Sequence, residues 1–198
     1  MVYELQKIQK LTFEEFLDWY PNDGSRYELI DGEVVEMRLI GDAISRRWRE
    51  HEELAGLIAR KLDREIERLS LFYFISKSCC IKPKSAMDTD LQDVIILDRQ
   101  ALQKEPLWKI ASTIMYGSST PLVVEISSTN WQDDYARKLE DHEAMGIREY
   151  WIVNSRALGG KRFIGDPKQP TVSIYQLTNG RIKLSNFVRM TQFSLGFF

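Results

Sequence analysis

The sequence has few of the residues on which several common site chemistries depend. Its 198 residues include two cysteines and two histidines. Cys79 and Cys80 are adjacent, which is neither a disulfide framework nor a zinc-binding spacing, so we expect reduced thiols in the core or in a strand. His51 and His142 lie far apart in sequence, which excludes a multi-histidine metal site and makes a Ser-His-Asp or Cys-His group hard to assemble. Any catalysis must therefore depend mostly on carboxylates and lysine.

Two further absences concern membranes and nucleic acid. No apolar stretch is long enough to span a bilayer. The N-terminal residues MVYELQKIQKLTFEEF carry charges where a secretory signal needs an apolar centre, so we expect a cytoplasmic protein without a membrane partner. The formal net charge of −2 excludes a broad basic surface that would bind nucleic acid by charge alone, although a local basic cleft is still compatible with it.

The order of the predicted elements indicates a mixed α/β sheet with helices packed against it. The length suits a single domain over residues 1–198, with a core over about 11–155 and a β extension over about 160–190. The first predicted elements are a capped helix over 12–20, a hairpin over 27–37 that turns at Asp31-Gly32, and an amphipathic helix over about 44–69. Strands over 71–82, 93–97 and 121–127, a helix over about 133–145 closed by Gly146 and a strand over 149–154 follow. The last elements are short strands in KRFIG, TVSIYQL and IKLSNF, with a turn at Asn179-Gly180. Residues 98–119 are interpreted as a loop with a helical piece around 99–111.

Glu125 is an unusual residue for its position in the chain. It lies in the run PLVVEIS, whose continuous apolar character is typical of a strand covered on both faces. An unpaired carboxylate in such a strand costs several kcal/mol unless a cation or hydrogen bonds meet it. Glu125 is therefore expected to have a partner, either as a structural buried ion or as part of a site.

Asp93 is a candidate neighbour of Glu125. It directly precedes the apolar strand VIIL, and if that strand pairs with PLVVEIS the two carboxylates lie side by side. Two adjacent carboxylates repel unless a cation lies between them. Such oxygen ligands suit Mg²⁺, which takes one or two carboxylates and completes its coordination with water and phosphate. The alternative is that Asp93 only caps the start of its strand.

Lys138 is the candidate cation of the following helix. At about 100° per residue it falls within the apolar stripe formed by Tyr135, Leu139, His142 and Met145, whereas Arg137 and Glu140 point outward. An ammonium group directed at a carboxylate pair could orient a water for attack on phosphorus or stabilise the developing charge. Alternatively, Lys138 pairs with Asp134 one turn earlier.

Several other residues have both a structural and a functional interpretation. Glu28, on the first hairpin strand, is a candidate accessory ligand, whereas Glu33 is interpreted as exposed. We interpret His51 as a residue that packs or caps on the long helix. The tryptophans and arginines that could contact nucleic acid are interpreted as core or rim residues and as a solvated helix face; these are Trp108, Trp131, Trp151, Arg46, Arg47 and Arg49.

The same stretches carry a family resemblance. The segments LTFEEFLDWYPNDGSRYELIDGEVVEM, QDVIILDRQAL, PLVVEISSTNWQDDYARKLEDHEAMGIREYWIV and KRFIGDPKQPTVSIYQL resemble the Uma-two family, also called domain of unknown function 820. The resemblance implies a restriction endonuclease-like branch of the PD-(D/E)XK nucleases. The implied fold is α/β with a mixed sheet: an αβββαβ core, preceded here by an N-terminal helix and hairpin and followed by a small C-terminal β extension.

The resemblance also assigns roles to individual residues. It implies that Asp93 and Glu125 are catalytic metal ligands, that Glu28 matches the early strand glutamate, and that Lys138 matches a lysine moved onto the next helix. Ser127 occupies the place that this lysine has in other branches. The implied cofactor is Mg²⁺, with Mn²⁺ as a substitute.

Two departures from the family pattern concern the backbone around the site. Gln92 replaces the proline of the PD motif, which changes the approach to Asp93 and leaves its chemistry intact. Residues 38–50 replace a short proline-containing loop, so the helix that carries His51 is expected to start late or to follow a remodelled loop.

We therefore expect a metal-dependent endonuclease that acts on DNA. A homodimer is compatible with this expectation because restriction-like folds often cut two strands as pairs, but no residue of the sequence decides the assembly. One alternative is a catalytically inactive nucleic-acid or protein interaction module with the same fold. A second alternative is a carboxylate enzyme such as a glycosidase, which the position of Lys138 on the core face disfavours.

Overall fold

This computed structural model describes residues 10–23, 27–36, 42–77, 79–83, 88–128 and 131–190, with the backbone alone at 42–48 and 90. The expectations for Met37, for residues 38–41 and for the side chains of Arg46, Arg47 and Trp48 lie outside what it describes. None of the described helices is long and apolar enough to cross a membrane.

Six α-helices lie within the described residues. They are α1 (Phe13–Trp19), α2 (Asp42–Arg68), α3 (Trp108–Ala111), α4 (Trp131–Tyr135), α5 (Arg137–Met145) and α6 (Lys161–Ile164). The capping box of α1 is confirmed, because the Glu15 N–H donates to Thr12 Oγ1 at 3.2 Å and the Thr12 N–H donates to Glu15 Oε2 at 2.8 Å. Helix α2 begins at Asp42, close to the predicted start at about residue 44. Because this is nine residues before His51, the late start is wrong, and a remodelled loop is the alternative that is left for residues 38–50.

The strands form three sheets within the described residues. They are β1 (Tyr27–Ile30), β2 (Glu33–Glu36), β3 (Tyr73–Ser76), β4 (Cys80–Ile81), β5 (Asp90–Leu91), β6 (Val94–Asp98), β7 (Thr113–Ile114), β8 (Leu122–Ile126), β9 (Glu149–Asn154), β10 (Thr171–Thr178) and β11 (Arg181–Arg189). The main sheet has the order β11-β10-β9-β8-β6-β3, and the others are the β1-β2 hairpin and a small β5-β4-β7 sheet. Strands β8 and β9 are parallel, whereas the other adjacent pairs of the main sheet are antiparallel, so the predicted mixed sheet is confirmed.

Both predicted hairpin turns are present. Asp31 and Gly32 have φ angles of 50° and 80°, and Asn179 and Gly180 have φ angles of 54° and 72°. Positive φ at both central residues is the type I′ geometry whose twist matches that of paired strands. The second hairpin joins β10 to β11, and β10 pairs with β9, so the C-terminal strands continue the main sheet.

The main sheet is covered on both faces. On one face, Val94, Ile96 and Val124 pack with Ala55 and Ile58 of α2. On the other face, the alternate residues Ile95, Leu97 and Val123 pack with Tyr135 of α4, with Leu139 of α5 beside them. Neighbouring side chains of a strand point to opposite faces, and both Val123 and Val124 are fully buried, so both faces of β8 are covered. This double cover explains the continuous apolar run around Glu125.

Three predicted elements differ from the observed ones. The stretch 71–82 is two strands, β3 and β4, in separate sheets. The helix predicted over 133–145 is divided into α4 and α5 at Ala136, whose φ and ψ of −131° and −85° are not helical. KRFIG forms α6 instead of a strand. A strand would point Phe163 and Ile164 to opposite sides, whereas both contact the core cluster that contains Tyr135.

Gly117 provides a test of the packing at the C-terminal end of α5. A Cβ at Gly117 would lie 2.4 Å from the carbonyl carbon of Gly146 and 2.5 Å from the nitrogen of Ile147, in the left-handed turn that ends α5. We expect Gly117→Ala to lower the free energy of unfolding by about 1–3 kcal/mol, because one of the two backbones must move. Urea denaturation would measure this change.

Gly56 provides the matched control, since it lies in α2 and a methyl group added there would have nothing within 4 Å. Gly56→Ala should raise the free energy of unfolding by about 0.5–1 kcal/mol. Equal stability of the two alanine variants would contradict the close approach at Gly117.

Candidate active site at one end of the main sheet

Glu125 is buried in β8 and its partner is Lys138. The Glu125 side chain is 5% exposed, and its Oε1 lies 3.2 Å from Lys138 Nζ. The same ammonium lies 3.8 Å from Asp134 Oδ1, so the predicted i,i+4 pair is also present at a longer distance. These two distances place the Lys138 charge between two carboxylates. The Lys138 side chain is 12% exposed, so its charge is largely out of water. Helix α5 thus directs Lys138 toward the sheet.

The β6–β8 pairing and one hydrogen bond bring Asp93 to the end of β8 that carries Glu125. Val94 of β6 pairs with Val124 of β8, so Asp93 and Glu125 are the next residues beyond this pair. Asp93 Oδ2 also accepts a hydrogen bond from the Ile126 N–H at 2.7 Å, which ties the carboxylate to the residue that follows Glu125.

His51 also belongs to this site, contrary to its interpretation as a packing or capping residue of α2. Its Nε2 lies 3.2 Å from Asp93 Oδ2, and the two side chains are 17% and 22% exposed. A signal for this role was present in the sequence. His51 lies on the same helical stripe as Ala55, Ile58 and Leu62, which face the sheet. The stripe criterion that selects Lys138 on α5 therefore also selects His51 on α2.

The pKa of His51 is raised above its usual value of 6.5. Burial is the largest single influence and lowers the pKa, because it disfavours the charged imidazolium. The hydrogen bond to Asp93 and the negative charge of Asp93 act in the opposite direction, assisted by Glu52 and by a hydrogen bond to the backbone of Ile126, and together they outweigh burial. The imidazolium form is thereby favoured beside Asp93.

Glu28 lies beside the chain that leads into Asp93. Its side chain is buried on β1, and its Oε1 accepts a hydrogen bond from the Leu91 N–H at 3.0 Å. Leu29 adds a second connection, because its N–H donates to Thr89 Oγ1 at 2.7 Å. Glu28 therefore fixes the segment immediately before Asp93, whereas Glu33 is exposed on β2, as expected.

The remaining candidates have structural surroundings. Ser127 is buried, and its N–H extends the β8–β9 pairing by donating to the Val153 carbonyl at 3.0 Å. Trp131 packs against Phe163 with ring centroids 6.0 Å apart, and Trp108 packs against Phe74 at 6.2 Å. Trp151 donates from Nε1 to Glu149. These tryptophans are engaged with the protein itself.

The carboxylates at this sheet end determine which metal the residues would suit. Among the side chains that the structure describes, no group of three or more His, Cys, Asp or Glu is arranged to hold a metal ion. Mg²⁺ needs only one or two carboxylates, because water and phosphate oxygens fill its other positions. The pair Asp93 and Glu125 fits that requirement, and its hard oxygen donors suit Mg²⁺ or Mn²⁺.

Comparison with known proteins gives a family and a fold. The model of the Uma2 family, described as "Putative restriction endonuclease", matches residues 13–196. The chain is also similar to the crystal structure of "a putative nuclease belonging to DUF820" from Anabaena variabilis ATCC 29413. The TM-score is 0.52 and the sequence identity 15%, over 84% of this chain and 79% of that one. At this identity the likeness shows a shared fold. No curated protein matches the sequence.

The contact between His51 and Asp93 predicts a pH-dependent stability. Because the folded-state pKa of His51 is raised, its stabilising contribution is present in full below its unfolded value of 6.5 and is lost as pH rises through the folded value. The free energy of unfolding should therefore differ more between wild type and His51→Gln at about pH 5.5 than at about pH 9. Urea denaturation in EDTA would measure both differences.

The control for this experiment is the same comparison in an Asp93→Asn background. The pH dependence of the His51 effect should largely disappear there, because its charged partner is absent. An effect of His51→Gln that is the same at both pH values in the Asp93 protein would contradict the assigned contact.

Proposed function

The chain belongs to the Uma2 family, and from this premise and the geometry of the site we propose that it is a magnesium-dependent endonuclease that hydrolyses phosphodiester bonds of DNA. The observation that supports this proposal most is the convergence of Asp93, Glu125 and Lys138 at one end of the main sheet. Two carboxylates and a largely buried ammonium suit metal-dependent phosphodiester hydrolysis, because they supply ligands for a divalent ion and a cation for the charge that develops on the phosphoryl group.

Asp93 and Glu125 would hold the ion, Mg²⁺ or its substitute Mn²⁺, and such an ion polarises the phosphoryl oxygen and lowers the pKa of its bound water. His51 acts as a positioning residue, because its contact with Oδ2 fixes the orientation of the Asp93 carboxylate. Glu28 holds the backbone two residues before Asp93, through the hydrogen bond that it accepts from the Leu91 N–H.

Lys138 has the role of orienting the attacking water and stabilising negative charge on the phosphoryl group. Its Nζ lies 3.2 Å from Glu125 Oε1, within reach of any water or phosphate oxygen that also contacts this carboxylate. Because the side chain is only 12% exposed, its charge is screened less by solvent than that of a surface lysine.

The first prediction of this proposal concerns metal binding. Calorimetric titration of Mg²⁺ and Mn²⁺ into the wild type should show binding at about millimolar affinity or tighter, because Asp93 and Glu125 present adjacent carboxylates. Glu125→Gln keeps the shape of the side chain and removes its charge, so this binding should be lost. The matched control is Glu140→Gln, an exposed carboxylate on α5, which should bind metal as the wild type does. Identical isotherms for the two variants would exclude Glu125 as a ligand.

The second prediction concerns Lys138. Lys138→Met should lower the rate of DNA cleavage by about 10²-fold or more, the usual effect of removing a group that stabilises developing charge. Metal binding in the same calorimetric assay should be largely preserved. Lys104→Met, an exposed lysine beyond the far end of β6, is the control and should cleave at the wild-type rate. Preserved cleavage in Lys138→Met would refute the assigned role.

One observation favours an alternative, the catalytically inactive interaction module. Lys138 already supplies a cation to Glu125, so the buried carboxylate is compensated without any metal. Under this alternative, nucleic-acid or protein binding would survive Asp93→Ala, and neither Mg²⁺ nor Mn²⁺ would bind the wild type.

A further inference from the structure

The segment that connects β9 to β10 is strongly basic in a chain whose net charge is negative. Residues 155–168 contain four cations and a single carboxylate, whereas the whole chain has a formal net charge of −2. All four cations are exposed; they are Arg156, Lys161, Arg162 and Lys168. The acidic residue is Asp166, whose Oδ2 lies 2.7 Å from Lys161 Nζ. Both of these side chains are about two-thirds exposed, so water screens this pair strongly.

The segment lies at the same end of the sheet as the candidate active site. Strands β8 and β9 are parallel, with Glu125 opposite Ile152, and the basic segment begins three residues after Ile152. A strand rises about 3.3 Å per residue, so the start of the segment is on the order of 10 Å from Glu125. Arg189, the last residue of β11, adds a fifth cation, because its Nη2 would lie 3.7 Å from a Cβ at Gly165.

The conformation of the segment is held by contacts with the helix that follows Glu125. A Cβ at Gly159 would lie 3.3 Å from the Trp131 ring of α4, which shows how closely the loop packs there. Phe163 stacks on Tyr135 of α4 with ring centroids 4.6 Å apart. The loop also closes on the side chain of Asn154, whose Oδ1 accepts a hydrogen bond from the Leu158 N–H at 2.9 Å. The backbone that carries the cations is therefore fixed against the helix that follows Glu125.

We propose that Arg156, Lys161, Arg162, Lys168 and Arg189 form a basic surface that binds the phosphates of duplex DNA next to the cleaved bond. This inference rests on the proposed nuclease function and names the surface through which the substrate is held. A cluster of cations beside the site attracts a phosphate backbone toward it, even though the net charge of the whole chain is negative. Phosphate contacts of this kind supply affinity and register without reading the base sequence.

The test is duplex binding by the variant Arg156→Gln/Lys168→Gln. Both residues are exposed, and the substitutions leave the Lys161–Asp166 pair intact. Binding of a short fluorescent DNA duplex would be followed by anisotropy over a range of salt concentrations, once in EDTA and once in Ca²⁺. We expect the slope of log K against log salt to fall in magnitude by about 2, and the affinity at about 0.1 M salt to fall by at least about 10-fold.

The matched control is Lys104→Gln/Lys183→Gln, which removes the same charge from exposed positions at the opposite end of the sheet. This variant should bind the duplex within about 2-fold of the wild type, because only charges in contact with phosphates release counterions on binding. Equal losses in the two variants would show a general charge effect and would overturn the inference. A wild type that binds no duplex in either buffer, or binds RNA alone, would also overturn it.

This experiment separates the basic surface from the nuclease chemistry. A selective loss of duplex binding in Arg156→Gln/Lys168→Gln supports the surface even in a protein that cleaves nothing. Conversely, cleavage that depends on Lys138 combined with unchanged binding in Arg156→Gln/Lys168→Gln overturns the surface and leaves the proposed nuclease function standing.

Discussion

The contact between Lys138 Nζ and Glu125 Oε1 is the interaction on which the rest of the site depends. Strand β8 is covered on both faces, and a carboxylate in such a place is strongly destabilising without a compensating charge. Removing one partner of a buried pair typically costs about 3–5 kcal/mol, because the other charge remains buried and uncompensated. The pair therefore ties α5 to the central strand at a defined point. It also places a positive charge beside the carboxylate that we propose as a metal ligand.

The position of the site follows from the layered architecture. The sheet has α2 on one face and α4 and α5 on the other, so side chains from both layers can meet only where a strand ends. His51 reaches Asp93 from α2, and Lys138 reaches Glu125 from α5. The Ile126 N–H joins the two halves through its hydrogen bond to Asp93. Each carboxylate thus has a cation or an imidazole from a different layer.

The electrostatics of this arrangement bear on the substrate. The described ion pairs set Lys138 and His51 against three carboxylates, those of Asp93, Glu125 and Asp134. A polyanionic substrate would need further positive charge, which under our proposals comes from a bound divalent ion and from the basic segment after β9. Because that segment packs on α4, the proposed substrate-binding surface and the helix that precedes Lys138 form one structural unit.

Much of the fold could be predicted because its signals are local. The capping box at Thr12 and Glu15, the type I′ turns at Asp31 and Asn179, and the apolar run of β8 each depend on residues a few positions apart. The inward direction of Lys138 also follows from the helical period. The break at Ala136 does not affect this argument, because Lys138 and three of its stripe neighbours lie within α5; these are Leu139, His142 and Met145.

The sequence by itself determined that Glu125 needs a compensating charge, that Asp93 directly precedes an apolar strand and that Lys138 faces the core. These conclusions depend on burial and periodicity, which short stretches of sequence reveal. Only the tertiary structure decided that His51 meets Asp93. His51 and Asp93 are 42 positions apart in sequence, and their contact depends on which turn of α2 lies beside the end of the sheet. The division of 71–82 between two sheets and the helical form of 161–164 were decided in the same way. In both cases the apolar pattern suits several conformations, and packing against distant residues selects one of them.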